Sequence, residues 1–142
     1  MNSQIPVSTI MTKEVHTVSP DDSLEEIKVI FDRGQYYHLP VVEQEKVIGI
    51  ISRTDYFRLQ DSFTLFKIPE AKASNERIFH SLLVRDVMSK PVMTIGPDHS
   101  LEQAVEKFRS RQFHCLPVVD EAGALLGIVT VMDLLHYAYD NA

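Results

Sequence analysis

The sequence repeats itself: the second half of the chain matches the first half displaced by 77 residues, and by 78 after one inserted residue. Pro, Gly, Asp and helix-capping Ser recur in the same order, which chance matching of apolar residues would not produce. Leu39-Pro40-Val41-Val42, for example, matches Leu116-Pro117-Val118-Val119. Self-similarity at a fixed spacing indicates one supersecondary unit used twice. Because a copy of about 60 residues is marginal alone, the two copies are expected to share a core. A duplicated scaffold without any binding site remains the alternative.

Each copy predicts the element order β-α-β-β-α, which makes the fold class mixed α/β. In the first copy, a β-type run at Val15–Val18 leads into turn chemistry, and Ser23 with Glu26 forms the capping box of a helix. The helix has an apolar face and a glycine stop. These are Leu24, Ile27, Phe31 and Gly34. Two apolar runs, Leu39–Val42 and Val47–Ile51, then predict a hairpin, and a second helix follows.

The second copy predicts the same elements, with Ser100 and Gln103 as its capping pair. Its apolar helix face is formed by Leu101, Ala104, Val105 and Phe108. Its hairpin runs are Leu116–Val119 and Leu125–Val129, with Gly123 in the turn. The second helices of the two copies are predicted over about Arg53–Gln60 and Val131–Tyr139, with Ser52 and Thr130 as N-caps.

The segment Asp61–Ser81 has no counterpart in the repeat. Its first part is apolar, with Phe63, Leu65, Phe66 and Ile68, and Glu70–Arg77 is polar. We interpret it as a long loop whose apolar half packs on the module, and a tolerated insertion is the equal alternative. The predicted organisation is therefore a first domain at 1–61, a linker at 62–81 and a second domain at 82–142.

Charge and composition exclude several classes of protein. The formal net charge is −6 and the basic residues are scattered, which argues against a nucleic-acid partner. The sequence contains neither an apolar run of membrane-spanning length nor a signal-peptide pattern, so we expect no membrane association. One cysteine, Cys115, rules out an internal disulfide, which fits a reducing, cytoplasmic location.

The strongest candidate for function is a pattern of Gly, two apolar residues, Ser or Thr, two residues, and Asp. It reads Gly49-Ile50-Ile51-Ser52-Arg53-Thr54-Asp55 in the first copy and Gly127-Ile128-Val129-Thr130-Val131-Met132-Asp133 in the second. Glycine admits a ligand or another backbone closely, and a helix start favours phosphate. The carboxylate can accept hydrogen bonds from a ribose diol. Ordinary helix capping explains the same Ser/Thr and Asp, and for a single copy it is the stronger interpretation.

The chain resembles a pair of CBS domains, the arrangement called a Bateman module. The resemblance extends from Val7 to Tyr137 apart from the linker, and the Gly-x-x-Ser/Thr-x-x-Asp pattern closes each copy. Each copy begins with a short motif, Ile10-Met11-Thr12 in the first and Val87-Met88-Ser89 in the second. A Thr-x-x-Pro motif follows, Thr17-Val18-x-Pro20 in the first and Thr94-Ile95-x-Pro97 in the second. The third mark is the Leu-Pro-Val-Val run with its preceding residue, His38-Leu39-Pro40-Val41-Val42 and Cys115-Leu116-Pro117-Val118-Val119.

The resemblance implies two copies packed through their sheets with pseudo-twofold symmetry, and two clefts that bind AMP, ADP, ATP or S-adenosylmethionine. Carried onto this sequence, Asp55 and Asp133 would hold ribose hydroxyls, and Ser52 and Thr130 would meet ribose or phosphate. The base pocket would be lined by Thr17-Val18 and Thr94-Ile95. The cleft mouths would hold Tyr37-His38 and His114-Cys115. The resemblance also implies a homodimer and an effector protein that it does not identify.

The two copies differ at one position that bears on phosphate. Arg53 follows Ser52, and a guanidinium suits phosphate geometry, whereas Val131 takes that place in the second copy. His114 would supply only part of a charge. We expect the first cleft to hold phosphate better. The alternative is that Arg53 is a solvated helix residue.

Catalysis and metal binding have little support in the sequence. His114 and Cys115 are adjacent, so on a strand their side chains point to opposite faces and the imidazole cannot activate the thiol. The histidines lack metal-binding spacing. We therefore expect no enzyme, no catalytic cofactor and no metal. Two hypotheses remain: a regulatory module that senses an adenosyl ligand and signals by conformational change, with Asp61–Ser81 as the moving part, or an interaction scaffold with vestigial clefts.

Overall fold

The chain was analysed as a computed structural model, which describes residues 2–65, 72–110 and 113–141. Its contacts divide it into two compact units, each built from separate stretches of sequence. The first-repeat unit consists of His16–Glu43 and Ile48–Pro91. The second-repeat unit consists of Met1–Val15, Gln44–Val47 and Val92–Ala142. Met1–Val15, which precede the first repeat, therefore belong to the second-repeat unit. The segment that precedes the second repeat, up to Pro91, belongs to the first-repeat unit.

Both units contain helices packed with a two-stranded sheet. The elements that begin in the first repeat and its following segment are α1 (Leu24–Asp32), β1 (His38–Glu43), β2 (Lys46–Ser52), α2 (Arg53–Leu65), α3 (Lys72–Ser81) and α4 (Val84–Val87). Those of the second-repeat unit are a 3-10 turn (Val7–Thr9), α5 (Leu101–Ser110), β3 (Cys115–Val119), β4 (Leu125–Thr130) and α6 (Val131–Asp140). The mixed α/β fold class is confirmed. None of the described helices is long and apolar enough to cross a membrane.

The first helix of each repeat begins at the predicted capping box. Ser23 Oγ accepts a hydrogen bond from the Glu26 N–H, and the Glu26 carboxylate accepts one from the Ser23 N–H, both at 3.3 Å. Ser100 and Gln103 make the same reciprocal pair at 3.2 and 2.8 Å. After α1, Gly34 adopts φ 72°, a left-handed conformation that glycine takes without strain. Both helix starts and the glycine stop were therefore predicted correctly.

The hairpins also lie where the apolar runs predicted them. In the second repeat, β3 and β4 are antiparallel, with Cys115 opposite Thr130 and a bulge between Val118 and Val119. In the first repeat, the turn residues Gln44 and Glu45 have φ 51° and 64°. Two successive left-handed residues match the twist of a two-residue hairpin turn, although glycine or asparagine is usual there.

The first strand of each repeat is shorter than predicted. The run Val15–Val18 forms only a single parallel bridge, in which Val18 pairs with Val41. The second repeat has the equivalent bridge from Ile95 to Val118. Extended pairing stops there because the Pro-Asp turn follows within two residues, and Pro20 has no N–H to donate.

The described part of Asp61–Ser81 is helical, which corrects the expectation of a loop. Helix α2 continues to Leu65, and α3 occupies Lys72–Ser81. The sequence analysis described Glu70–Arg77 as polar and assigned no core role to Phe79, which follows that stretch. Phe79 is 1% exposed and lies in the core of the first-repeat unit. The packing of Phe63, Leu65, Phe66 and Ile68, predicted from sequence, lies outside what the structure describes.

The motif glycines lie where a second backbone segment passes beside a strand. Ile50 of β2 exchanges two hydrogen bonds with Ser89, and Ile128 of β4 exchanges two with Thr12, at 2.8–3.3 Å. A Cβ on Gly127 would lie 2.7 Å from the Thr12 carbonyl oxygen. A Cβ on Gly49 would lie 2.6 Å from Met88 Sδ and 3.1 Å from the Ser89 carbonyl oxygen. Gly127 therefore admits backbone, and Gly49 admits both the Met88 side chain and the backbone of Ser89.

Candidate functional site

The Ser or Thr hydroxyl of the repeated pattern accepts the backbone N–H of the Asp at the start of the second helix in both repeats. The Asp55 N–H donates to Ser52 Oγ at 3.0 Å, and the Asp133 N–H donates to Thr130 Oγ1 at 3.1 Å. These are helix-capping interactions, so the capping interpretation holds in both copies. Each hydroxyl keeps a proton and each carboxylate keeps acceptor positions, so capping does not prevent ligand contacts.

The two carboxylates differ in how firmly they are held. Asp133 Oδ2 accepts the Thr130 N–H at 2.9 Å, and Asp133 Oδ1 accepts the Thr12 hydroxyl at 3.3 Å. Asp55 is exposed and contacts Arg58 at 3.4 Å in an i,i+3 pair. An exposed pair of this length contributes little. Asp55 is therefore the more available acceptor of the two.

Tyr37 and Arg53, both predicted for the first site, are in direct contact. The backbone N–H of Arg53 donates to the Tyr37 carbonyl oxygen at 2.8 Å. This hydrogen bond joins the start of α2 to the residue before β1. The guanidinium carbon lies 5.6 Å from the centre of the Tyr37 ring and 5.4 Å from that of Phe57. Cation–π contacts within about 6 Å are attractive. Arg53 is thus held between two rings rather than extended into solvent.

One atom of this arginine lacks a partner. Arg53 Nε is buried and has no hydrogen-bond partner within the described residues. A buried donor without a partner costs roughly 1–3 kcal/mol.

The remaining residues of the first set differ in burial and in their backbone contacts. Val18 is buried, and its N–H and carbonyl pair with Pro40 and Val42 at 3.0 and 2.9 Å. Thr17 is exposed, and His38 is half-buried at the start of β1. Tyr37 is 60% exposed.

The second set has the same backbone frame without the basic group. Val131 donates its N–H to the His114 carbonyl at 3.2 Å, as Arg53 does to Tyr37. Ile95 pairs with Pro117 and Val119 as Val18 pairs in the first repeat. His114 is exposed and precedes β3, whereas Cys115 is the first residue of β3 and is buried. Burial, with a smaller contribution from the charge of Asp133, raises the pKa of the Cys115 thiol to about 12.

A cavity of about 410 Å³ in the second-repeat unit contains part of the second set. Thr94 and Ile95 line it, together with Gly96–His99 and Val119–Glu121. His114, Thr130 and Asp133 are not among its lining residues. This cavity therefore contains the predicted base-pocket pair of the second set but not its predicted ribose-binding pair.

Sequence reasoning missed two residues of these sites. Phe57 is the second aromatic residue in contact with Arg53. It follows Arg53 by four residues on α2, and this i,i+4 spacing was the sequence signal that could have identified it. Thr12 holds Asp133, and its position matches that of Ser89 across the repeat. Groups of His, Cys, Asp or Glu suited to a metal ion are absent from the described parts of the chain.

The family model of the CBS domain matches residues 7–62 and 84–140. The chain therefore belongs to the CBS-domain family and contains two copies of the domain. The resemblance inferred from the repeated motifs is confirmed.

Relatives of known name share the fold across most of this chain. An inosine-5'-monophosphate dehydrogenase of Korarchaeum cryptofilum is 30% identical over 90% of the chain, which spans 23% of that enzyme's length. The structure of CBSX2 of Arabidopsis thaliana in complex with AMP superposes with a TM-score of 0.77 at 23% identity, covering 96% of this chain and 98% of that one. The CBS domain pair of protein MJ0100, in complex with 5'-methylthioadenosine and S-adenosyl-L-methionine, has a TM-score of 0.75 at 24% identity, covering 96% and 98%.

Proposed function

We propose that this chain is a regulatory module that binds an adenine nucleotide or a related adenosyl ligand and signals to a partner by conformational change. The observation that carries the proposal is the pair of Ser52–Asp55 and Thr130–Asp133 cradles at helix starts. Backbone N–H groups at a helix start favour phosphate, and a nearby carboxylate favours a ribose diol. Proteins of the same fold hold AMP or S-adenosyl-L-methionine, which supports this ligand class.

The first site is the better phosphate site in this proposal. Arg53 offers a guanidinium whose carbon lies 5.6 Å from the ring centre of Tyr37 and 5.4 Å from that of Phe57. Because the rings already restrict the side chain, little of its conformational entropy is lost on binding. Val131 supplies no charge at the equivalent position. The exposed Tyr37 ring also offers a flat surface for an adenine base.

The role is non-enzymatic in this proposal. Cys115 is the one thiol of the chain, and at a pKa of about 12 it stays protonated near neutral pH. The dehydrogenase relative is matched over only 23% of its length, so its activity is not transferred to this chain. A cytoplasmic location, a homodimer and an effector protein belong to the proposal on the family resemblance.

Isothermal titration calorimetry with AMP, ATP and S-adenosylmethionine tests the proposal. We expect micromolar binding of at least one ligand to the wild-type chain. Asp55→Ala should weaken binding by about tenfold or more, which corresponds to about 1.4 kcal/mol. Arg53→Met should weaken AMP and ATP more than S-adenosylmethionine, because the latter has no phosphate.

Ser100→Ala is the matched control for lost capping. It removes the cap hydroxyl of α5, which bonds the Gln103 N–H at 3.2 Å, and touches neither cradle. Its affinities should equal those of the wild type. Equal weakening by Ser100→Ala would attribute the effect to stability. Absence of heat with all three ligands would contradict the adenosyl proposal and favour the interaction scaffold, in which both Asp residues serve only as caps.

A further inference from the structure

The cavity of about 410 Å³ in the second-repeat unit has three carboxylates among its lining residues. These are Asp98, Asp120 and Glu121, and none of the three pairs with a basic residue in the parts of the chain that the structure describes. Asp120 Oδ1 accepts the N–H groups of Ala122 and Ala124, both at 2.9 Å, so this carboxylate is held by its own turn. Its Oδ2 keeps acceptor positions for a further donor. A concave surface that carries charges of one sign favours a ligand of the opposite sign.

The cavity lies at the other end of β3 from the Thr130–Asp133 cradle. Cys115, the first residue of β3, is opposite Thr130, whereas Val119, the last residue, lines the cavity. The strand has five residues, so its two ends are roughly 13 Å apart. A group held at Asp120 is therefore distinct from a group held at Asp133.

In the first repeat, the equivalent pair of carboxylates binds a guanidinium. Asp21 and Glu43 stand where Asp98 and Asp120 stand in the second repeat, at the displacement of 77 residues. Arg85 Nε donates to Asp21 Oδ1 at 3.1 Å, and Nη2 donates to the same oxygen. The same Nη2 lies 3.5 Å from Glu43 Oε2. One planar guanidinium thus bridges both carboxylates, which uses several of its fixed donors.

Ser8 stands at the position of Arg85 in the second-repeat unit. The Arg85 backbone N–H donates to the Pro20 carbonyl oxygen at 2.9 Å, and the Ser8 backbone N–H donates to the Pro97 carbonyl oxygen at 3.0 Å. Pro20 and Pro97 are themselves equivalent in the repeat. The second-repeat unit therefore keeps both carboxylates and the backbone frame, but its side chain at this position ends in a hydroxyl.

We propose that the cavity is a binding site for a guanidinium group. The ligand class is deduced from Arg85, whose contacts show what two carboxylates in this frame accept. Ile95, Pro97 and Val119, which also line the cavity, would contact the aliphatic chain that carries the group. This site goes beyond the adenosyl proposal and does not depend on it.

A free small molecule and an arginine side chain of a partner protein present the same group. Because exposed pairs of carboxylate and guanidinium are individually weak, we expect a Kd on the order of 1 mM for a small guanidinium compound. A partner protein would add contacts around the cavity and bind more tightly.

Butylguanidinium is the probe, and butylurea, which has nearly the same shape without the charge, is its control. Each is titrated into the full chain at constant ionic strength, and amide chemical shifts are followed by NMR. We expect saturable changes at residues 96–99 and 119–122 with butylguanidinium and none with butylurea. An end-blocked Gly-Arg-Gly peptide then separates the two sources. Binding about tenfold tighter than that of butylguanidinium indicates an arginine of a partner, and equal or weaker binding indicates a small molecule.

Three variants test the carboxylates. Asp98→Asn and Asp120→Asn each remove one charge from the cavity at constant size, and the asparagine at position 120 keeps an acceptor for the turn. Each should weaken the binding of butylguanidinium about threefold or more. Glu106→Gln on α5 removes an exposed charge that does not line the cavity. It is the matched control and should leave the affinity unchanged.

The two repeats also allow a reciprocal exchange. Ser8→Arg supplies a guanidinium from the chain itself and should abolish binding of the probe, whereas Ser8→Met, with a long uncharged side chain, should retain most of it. Arg85→Ser should create a second binding site in the first-repeat unit, seen as shift changes at Asp21 and Glu43.

Four results would overturn the proposal. The first two are the absence of saturable shift changes with butylguanidinium and equal binding of butylurea. The third is equal weakening by Glu106→Gln and the two asparagine variants. The fourth is a folded Arg85→Ser variant that gains no binding at Asp21 and Glu43, because the contacts of Arg85 would then not indicate what the cavity accepts.

Discussion

The two repeats share a framework and differ in what completes them. In the first-repeat unit, the aromatic rings of Phe31, Tyr56 and Phe79 pack together with centres 5.4 and 5.5 Å apart. In the second-repeat unit, α5 and α6 line an apolar groove of about 310 Å³, and Phe108, the equivalent of Phe31, is only half-buried. The described parts of the two repeats therefore share a frame and differ in how closely the first helix is packed.

The two sites show a parallel difference. Arg53 with Tyr37 and Phe57 occupies the positions that Val131, His114 and Leu135 take in the second repeat. The backbone contact between the two elements is kept in both, at 2.8 and 3.2 Å. Backbone geometry is thus common to the repeats, while charge and aromatic surface are specific to the first.

Removing the Phe79 ring, which belongs to the helix that packs against α1 and α2, should have the largest effect on stability. Phe79→Ala leaves a cavity among buried aromatic residues, and we expect a loss of about 3–5 kcal/mol in the free energy of unfolding. Phe108→Ala, in the half-buried equivalent of Phe31, should cost about half as much, because its side chain loses less buried area. Urea denaturation measures both. Equal losses would show that the side chains between α5 and α6 are packed as tightly as those between α1, α2 and α3.

The two motif glycines should respond unequally to alanine. A Cβ at Gly127 meets the Thr12 carbonyl at 2.7 Å, and this backbone atom can move only with its segment. A Cβ at Gly49 meets Met88 Sδ at 2.6 Å, which is the flexible part of a side chain. We expect Gly127→Ala to cost about 1–3 kcal/mol and Gly49→Ala clearly less. Thermal unfolding ranks the two variants, and the reverse order would contradict this account.

The smallest effect concerns the two carboxylates. Asp133→Ala removes acceptors for the Thr130 N–H and the Thr12 hydroxyl, and we expect a loss of about 1–2 kcal/mol. Asp55→Ala removes an exposed ion pair and should cost less than about 0.5 kcal/mol. Chemical denaturation without added ligand distinguishes them. If Asp55→Ala were the more destabilising variant, Asp55 would have a structural role that its observed contacts do not explain.

Sequence patterns predicted most of the elements because their signals are local. Ser23 with Glu26, Ser100 with Gln103 and Gly34 specify helix ends through hydrogen bonds and dihedral angles within a few residues. The hairpins followed from apolar runs separated by short polar turns. The same local logic failed for the run at Val15–Val18, because a strand needs a partner and only Val18 has one.

The candidate sites were predictable to the extent that they repeat. Asp55 and Asp133 were found because the Gly-x-x-Ser/Thr-x-x-Asp pattern occurs twice. The contact of Arg53 with Tyr37 joins residues from different elements, so no spacing in the sequence specifies it. Thr12 is still further from Asp133 along the chain, at a sequence separation of 121. Ligand roles for these residues remain predictions.

The sequence by itself determined that one β-α-β-β-α unit is used twice, where its helices begin and which faces are apolar, because these properties depend on neighbouring residues. Only the tertiary structure decided that α3, at Lys72–Ser81, packs against α1 and α2. It also decided that the motif glycines admit backbone at Ser89 and Thr12. These outcomes depend on which distant segments meet, and packing, unlike helix capping, carries no local signal in the chain.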